Sequence, residues 1–466
     1  MTIVDILLTV IVGLRNELLL FAGIGMLVGG LDDLAIDCVY GIRHFWRKAT
    51  ARRRDPAPIS SDLPPSAGRG TLAVFVPAWD ESDVIGRMLR GCLKAWATDD
   101  VHVFVGVYPN DPETISIVTQ IAGETDKLTM VVNPLPGPTT KADCLNGAWR
   151  AMLRWEEAVG RRAKAIVLHD AEDVVHDDEI RVLSDAIERH ELVQLPVLPI
   201  VSAESRWISG HYCDEFAEAH GKSLVVRQAL GASVPSAGVG CAMAREVMGR
   251  LADDRDGGPF DPDSLTEDYE IGLRIGEMGG SGILLRIRDE KGVLIATKEY
   301  FPDTIDASVR QKARWTMGIA LAGWDRLGWS GGPVETWMRL RDRRALIAAI
   351  VLISAYAGMI SWTLVELAIV ADLGTPAPLP AAMETLMVIN FAILLWRAML
   401  RTLFVKRAYG WSEAWRVPIR MVIANIIEMM AARRALFQYV RVWAGEELHW
   451  DKTRHRFPDT GTEGAA

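Results

Sequence analysis

Between Gly70 and Gly332 the chain alternates between two kinds of segment. Short apolar runs rich in β-branched and aromatic residues are TLAVFVPAW, VHVFVGVY, LTMVVNP and KAIVLHD. Each is followed by an amphipathic stretch: VIGRMLRGCLKAW, ETISIVTQIAG, ADCLNGAWRAMLRW and DEIRVLSDAIERH. A strand that returns through a helix pairs parallel with the one before it. Repetition of that unit forces an α/β fold with a mainly parallel sheet and helices on both faces. Ligands of such sheets bind beyond the carboxyl ends of the strands. The residues to inspect there are Asp80 and Glu81 after the first run, Asn110 and Asp111 after the second, and Asp170, Glu172 and Asp173 after the fourth. One acid at a strand-to-helix turn is an ordinary helix cap. Acidic clusters from three turns on one rim repel one another unless a cation sits among them. Mg²⁺ or Mn²⁺ carrying a nucleotide diphosphate meets that need, because both prefer hard oxygen ligands and keep substrate phosphates in their shell.

The flanks have a different character. Residues 18–31, LLLFAGIGMLVGGL, together with 35–40, predict a helix that crosses a membrane, which takes about 20 residues at ~1.5 Å each. Asp32, Asp33 and Asp37 interrupt its inner end, and TIVDILLTVIVGL extends it outward. With no basic n-region and no small-residue cleavage site, the segment is expected to be an uncleaved span, not a signal peptide. Residues 345–371 contain no Lys or Arg and form a second span, with Glu366 near enough to the outer end to snorkel. LGTPAPLP makes a short outer turn, and residues 383–404 return, with Trp396 and Arg397 at the inner border. Residues 417–431 are too short and too polar to span, so an interfacial or re-entrant helix is expected. Basic clusters at 43–54, 339–344 and 406–416 all flank apolar runs. That pattern marks a cytoplasmic border, hence a multi-pass membrane protein with its middle domain in the cytoplasm. The net charge of −9 argues against a nucleic-acid partner. The cysteines, Cys38, Cys92, Cys144, Cys213 and Cys241, stand far apart without metal-finger spacing and fit a reduced core.

Six motifs stand in order along the middle segment: VPAWDES, KADCLNGA, HDAED, SAGVGCAMAR at 236–245, LTEDYEIGLRI at 265–275 and VRQKARW at 309–315. Taken together they resemble the inverting family 2 glycosyltransferases. They match the "PxYNE" opening, the K-A-x-x-L-N-x-A segment, the DxD metal motif, the glycine-rich acceptor loop, the TED catalytic-base motif and the QxxRW motif of processive members. From GLDDLAIDCVY at 30–40 to QKARWTMGIALAGW at 311–324, the chain also resembles the inner-membrane glycosyltransferases of bacterial exopolysaccharide systems that serve as phage receptors. These resemblances imply a GT-A (Rossmann-like) catalytic domain over 70–310. A membrane-spanning helix over 1–42 and a basic, Pro-rich linker over 43–69 precede it. An interfacial segment over 311–338, two spans over 339–410, and an interfacial helix with a tail over 411–466 follow.

The implied reaction is transfer of a hexosyl or N-acetylhexosaminyl group from a nucleotide diphosphate sugar to a growing polysaccharide. Asp268 is the expected general base, and it sits where Thr266-Glu267-Asp268 would otherwise be an N-cap and first turn. Asp80, Glu81, Asp111, Lys141, Asp170 and Arg314 are expected on the donor side. The planar fork of Arg314 suits a diphosphate. A lone Lys such as Lys141 before a helix is otherwise a surface charge. Gly238, Gly240, Glu267, Gln311 and Trp315 are expected on the acceptor side, with the indole of Trp315 as a face for a sugar ring or as an interfacial anchor. Asp170 and Glu172 are the expected metal ligands. Glu172 stands where the family usually has Asp, so Asp173 is an alternative. YPNDPET replaces the usual acidic pair after the second strand, leaving open whether Asn110 or Asp111 meets the base. Gly238-Val239-Gly240 lacks the third glycine of a dinucleotide fingerprint. Single transfer to a lipid carrier and a non-catalytic receptor or scaffold subunit are the alternative functions. A glycan or lipid-linked acceptor, membrane lipids and an outer-membrane export partner are the expected partners.

Overall fold

A computed structural model describes residues 3–51, 58–255, 257–373, 375, 378–445 and 456–458. Part of the expected linker (52–57), part of the expected outer turn (374 and 376–377) and most of the C-terminal tail lie outside the described residues. The first helix, α1 (Ile3–Ala51), is unbroken and continues through basic residues that the sequence suggests as linker.

Four parallel strands carry the motifs: β1 (Leu72–Pro77), β2 (Val101–Val107), β3 (Leu128–Val132) and β4 (Ala165–Leu168), in spatial order β3-β2-β1-β4. Between them run α2 (Ile85–Ala95), α3 (Pro112–Ala122) and α4 (Lys141–Val159), and α5 (Glu179–Ala186) follows β4. The sheet then departs from a simple parallel series. After β5 (Leu192–Gln194) and β6 (Val197–Pro199) comes β7 (Cys241–Ala244), which lies between β4 and β5 and is antiparallel to both. A further strand, β8 (Gly282–Leu284), pairs parallel with β5 and completes a seven-stranded sheet; β6 and β9 (Thr297–Glu299) form a separate parallel pair.

Both faces of the central strands β1, β2 and β4 are buried, which is why they are continuous apolar runs and not alternating ones. Val74, Val76, Val103 and Val105 face Met88, Leu89, Ile121 and Ile180 from α2, α3 and α5. The alternate residues Ala73, Phe75, Phe104 and Ile166 face the opposite way, toward Leu145 and Met152 of α4, Met248 of α8 (Arg245–Asp253) and Ile271 of α9 (Glu267–Glu277). The period of two in a strand thus fills two cores from one sequence. Truncating a ring such as Phe75, which has no exposed surface, to Ala costs about 3–5 kcal/mol.

The remaining helices join this domain to a helical base. The first of them, α6 (Gly210–Glu218), passes through a π-helical turn, Ala219–Ser223, into α7 (Leu224–Ala229). After β9 come α10 (Ile305–Thr316), a π-helical turn at Met317–Ala322, α11 (Gly323–Leu327) and α12 (Pro333–Arg343). They lead to α13 (Ala345–Val370), α14 (Ala381–Tyr409), α15 (Trp411–Ala414) and α16 (Val417–Trp443). Among the described residues α13 and α14 are long and apolar enough to cross a membrane. They leave Ile360, Leu367, Val388 and Phe391 bare, a surface suited to lipid. Against them α1 packs closely: Gly25 meets Val351, Leu19 meets Gly358, and Gly23 meets Leu386. The acids at the inner end of α1 are ion-paired. Asp33 meets Arg341, Arg344 and Arg397, while Lys222 holds Asp37 at 2.5 Å.

Candidate active site

The loop after β1 begins at Trp79. Asp80 there takes a left-handed backbone, φ 54°, and is the exposed carboxylate of this rim. Its N–H donates to Asp111 Oδ2 at 2.6 Å, and the N–H of Thr114 donates to Asp111 Oδ1 at 3.3 Å. The buried Asp111 is thus both the N-cap of α3 and the pin that shapes the β1 loop, and Pro112 supplies the N1 residue expected after such a cap. Glu81 is buried, and its N–H donates to Thr114 Oγ1 at 3.1 Å. Asn110 closes a second link: its amide donates to Gly137 O and accepts from Gly137 N, both at 2.7 Å.

At the end of β4 lies the acidic stretch. His169 is fully buried, with Nδ1 at 2.7 Å from Asp173 Oδ2 and Nε2 at 2.9 Å from Glu179 Oε1. Burial alone would lower the pKa of this imidazole; Glu179 and Asp173 outweigh it and raise it to about 10. Asp173 also accepts the N–H of Asp170 at 3.0 Å. The carboxylate of Asp173 therefore turns inward and fixes the loop, while Asp170 stays partly exposed toward the rim. There Lys141 Nζ meets Asp170 Oδ1 at 2.5 Å. Lys141 is the first residue of α4, held in place by the Thr140–Asp143 capping box that precedes it. Burial would depress the ammonium, but Asp170, Glu267 and Asp268 hold its pKa above the ordinary lysine value.

Lys141 links the HDAED segment to the TED segment. Thr266 occupies the N-cap position of α9, yet its side chain makes no cap hydrogen bond. Asp268 Oδ1 accepts the N–H of Tyr269 at 2.7 Å. Burial raises the pKa of Asp268, against the pull of Lys141 and Arg314. Glu267 is pushed up to about 7, by burial first and then by the charge of Asp268. Over Asp268 lies the glycine loop. Gly238 has φ 77°, and a Cβ there would stand 2.4 Å from Asp268 Oδ2. A Cβ on Gly240, at φ 56°, would strike Thr297. Both positions require glycine, one for the left-handed backbone and the close approach to the carboxylate, the other for the approach to β9.

The helix α10 brings in the last motif. Arg314 lies close enough to Glu267 and Asp268 for its charge to lower the pKa of both. Trp315 is half-buried, with its ring edge-on to Tyr212 at 6.1 Å and to Phe301 at 6.4 Å. Gln311 lies one turn before it. Asp170, Lys141, Glu267, Asp268, Gly238 and Arg314 thus gather around one centre. Asp80, Glu81 and Asp111 form a neighbouring cluster bonded through Thr114.

The structure adds residues that no motif marks. Gln194 clamps the glycine loop, accepting from Ala237 N at 2.7 Å and donating to Val239 O at 2.9 Å. Glu299 on β9 is drawn beside the acidic stretch by the bonds between Val174 and Lys298. Burial, and then the charges of Asp173, Glu172 and Asp170, hold its carboxyl well above the usual range. More than a hundred residues separate Glu299 from those acids. No local pattern in the sequence signals that approach.

A partly desolvated carboxylate under a glycine loop, with a lysine and an arginine facing it, suits deprotonation of a hydroxyl beside a departing anion. The family model described as "Glycosyltransferase like family 2" matches residues 69–318, more than half of the chain. The chain belongs to glycosyltransferase family 2. This glycosyltransferase is 36% identical over 479 residues to bacteriophage adsorption protein B of Escherichia coli K12, and equally to bacteriophage N4 adsorption protein B of Escherichia coli O157:H7. The match covers 98% of this chain and 64% of each relative, so the chain spans just under two thirds of their length. Among solved structures it is similar to mannosyltransferase PcManGT from Pyrobaculum calidifontis in complex with GDP-Man and Mn²⁺. That likeness has a TM-score of 0.49 at 16% identity, over 88% of this chain and 99% of that one. Glucosyl-3-phosphoglycerate synthase from Mycobacterium tuberculosis is similar over 60% of this chain and 86% of its own, at 17% identity and a TM-score of 0.36. Likenesses this loose assign no residue a role.

Proposed function

We propose that this glycosyltransferase is an inverting enzyme that moves a sugar from a nucleotide diphosphate sugar to a growing polysaccharide at the cytoplasmic face of a bacterial inner membrane. The observation that carries the proposal is Asp268, half-buried against Gly238 and within reach of the charges of both Lys141 and Arg314. Asp268 takes the proton of the acceptor hydroxyl as its oxygen bonds to the anomeric carbon. The bond from that carbon to the diphosphate oxygen breaks on the opposite face, so the configuration inverts. Lys141 and Arg314 meet the charge that grows on the diphosphate. Trp315 and Gln311 wall the acceptor side, and Gly238 and Gly240 let the backbone approach it.

Asp170 and Glu172 fit a divalent cation. Burial, and then their charge with that of Asp173, raise the pKa of the neighbouring Glu299 carboxyl. Among the described residues no group of three His, Cys, Asp or Glu side chains could hold a metal ion by itself, so substrate phosphate and water would have to complete the shell of Mg²⁺ or Mn²⁺. When bound, the ion supplies positive charge opposite the leaving diphosphate.

The membrane placement rests on the apolar faces of α13 and α14, on α1 packed against them, and on the arginines at their domain side. A reporter fused near Gly160 tests it, and activity confined to the periplasm contradicts it. Single transfer to a lipid carrier is a second reading. It is favoured by the small number of helices long and apolar enough to span, among the described residues. The export partner belongs to the polymer reading alone. Incubating the purified chain with Mn²⁺ and radiolabelled UDP-glucose, UDP-N-acetylglucosamine or GDP-mannose tests the proposal. Label moved to a glycan supports it, and product length separates polymer from single addition. Nucleotide binding with no transfer from any donor points to the receptor or scaffold alternative.

A further inference from the structure

The lysine inside the QKARW motif has no part in the chemistry above, and its surroundings are unusual. Lys312 is 3% exposed, and its ammonium is held by two acids from two other helices. It donates to Glu215 of α6 at 2.8 and 2.7 Å and to Glu428 of α16 at 2.5 Å. The same ammonium lies 5.4 Å from the centre of the Tyr212 ring, and Tyr212 stands edge-on to Trp315. Below this contact, Ala313 and Met317 pack against Ala431 and Ala435 of α16. Glu428, Ala431 and Ala435 follow the three- and four-residue spacing of one helix face. A second tie joins α6 to α16, where Arg420 Nη1 donates to Asp214 Oδ1 at 3.0 Å. On α6, Glu218 also accepts from Arg401 of α14 at 2.7 Å.

The geometry points to Glu428, acting with Glu215 through Lys312, as a positioning residue for the acceptor wall. The two acids, from α6 and α16, fix the rotation of α10, and with it the direction in which Arg314 faces Asp268 and Trp315 faces Tyr212. A buried ammonium that loses one of two carboxylates must recruit water or move, and the motion passes through Tyr212 to Trp315. The C-terminal helix α16, outside the family-matched segment, therefore sets the geometry of the transfer site. This inference rests on the reading of Trp315 as the acceptor wall, and the experiment separates the two.

The test uses the full chain in detergent, with Glu428→Gln made alone and combined with Trp315→Ala. Affinity for UDP and GDP with Mn²⁺ is measured beside turnover of UDP-glucose, UDP-N-acetylglucosamine and GDP-mannose per folded molecule. Glu428→Gln is expected to lower turnover about tenfold, the scale of a sub-ångström misplacement, with nucleotide affinity unchanged. In the Trp315→Ala background it is expected to add nothing, because both changes act on one route. Glu428→Asp keeps the charge and is expected to retain most of the turnover, and Glu215→Gln, which removes the other carboxylate on Lys312, reads the same coupling if Glu428→Gln does not fold. Equal losses from the Glu428 change in both backgrounds, or normal turnover in Glu428→Gln, overturn the inference alone. Normal turnover in Trp315→Ala overturns the acceptor-wall reading and the inference with it.

Discussion

Replacing Gly238 by alanine displaces the proposed base without touching its chemistry. The new Cβ would stand 2.4 Å from Asp268 Oδ2, where ordinary contact begins at 3.4 Å, so the carboxylate must retreat by 1.0 Å. Retreat pulls against the 2.7 Å hydrogen bond from Tyr269 N–H. A misplacement of about 1 Å costs about 10²-fold in turnover. The left-handed backbone at φ 77° adds a separate cost of about 1–2 kcal/mol in stability for any residue with a Cβ. Gly231 supplies the control: its φ is 79°, and nothing lies within 4 Å of a Cβ built there. Both alanine variants should therefore lose stability in denaturant unfolding, Gly238→Ala the more, and only Gly238→Ala should lose turnover per folded molecule. Affinity for UDP or GDP with Mn²⁺, measured calorimetrically, should be unchanged in both. Normal turnover in folded Gly238→Ala would refute the placement of the base.

Three further outcomes follow from the charges of the site. Lys141→Met removes the largest influence that lowers the pKa of Asp268, so the acid limb of the pH–rate profile should move to higher pH; a limb that stays in place removes Lys141 from the centre. His169 carries a folded pKa of about 10 against an ordinary 6.5, so its contribution to stability is full below 6.5 and is lost as pH rises toward 10. Thermal unfolding of the parent should weaken over that window, and His169→Gln should flatten the change. Asp170→Ala and Glu172→Ala should each abolish the Mn²⁺ dependence of nucleotide binding; unchanged binding in both places the metal elsewhere.

Much of the catalytic domain was legible because its strands and helices are written in local periodicity. The four β-α units appear in order, and the apolar runs are the buried strands. The position of β7 was not legible: CAMA carries no sign of its direction, which is set by pairing with β4 and β5 on either side. Site residues followed the same division. Asp268, Lys141, Asp170 and Arg314 lie in recognisable motifs and meet in space. The role of Asp111 as cap and pin was open in the sequence because an Asp before Pro signals a cap and a rim acid alike. The inward turn of Asp173 depends on His169, whose ring also needs Glu179 from the next helix. Gln194, Glu299 and Lys312 stand beyond local reasoning, since each acquires its role from partners in distant segments. The acids at the inner end of α1 were legible as interruptions of a span. Their arginine partners, more than three hundred residues away, were not.

Turnover of Asp268→Asn tests the central claim most directly. Asparagine keeps the size of the side chain and its hydrogen bond from Tyr269, but it cannot accept the hydroxyl proton. The purified variant should bind UDP or GDP with Mn²⁺ as the parent does and transfer sugar about 10²- to 10⁴-fold more slowly, the range supplied by a positioned general base. Transfer within a few-fold of the parent rate, from a folded variant, would contradict the assignment of Asp268 and the mechanism built on it.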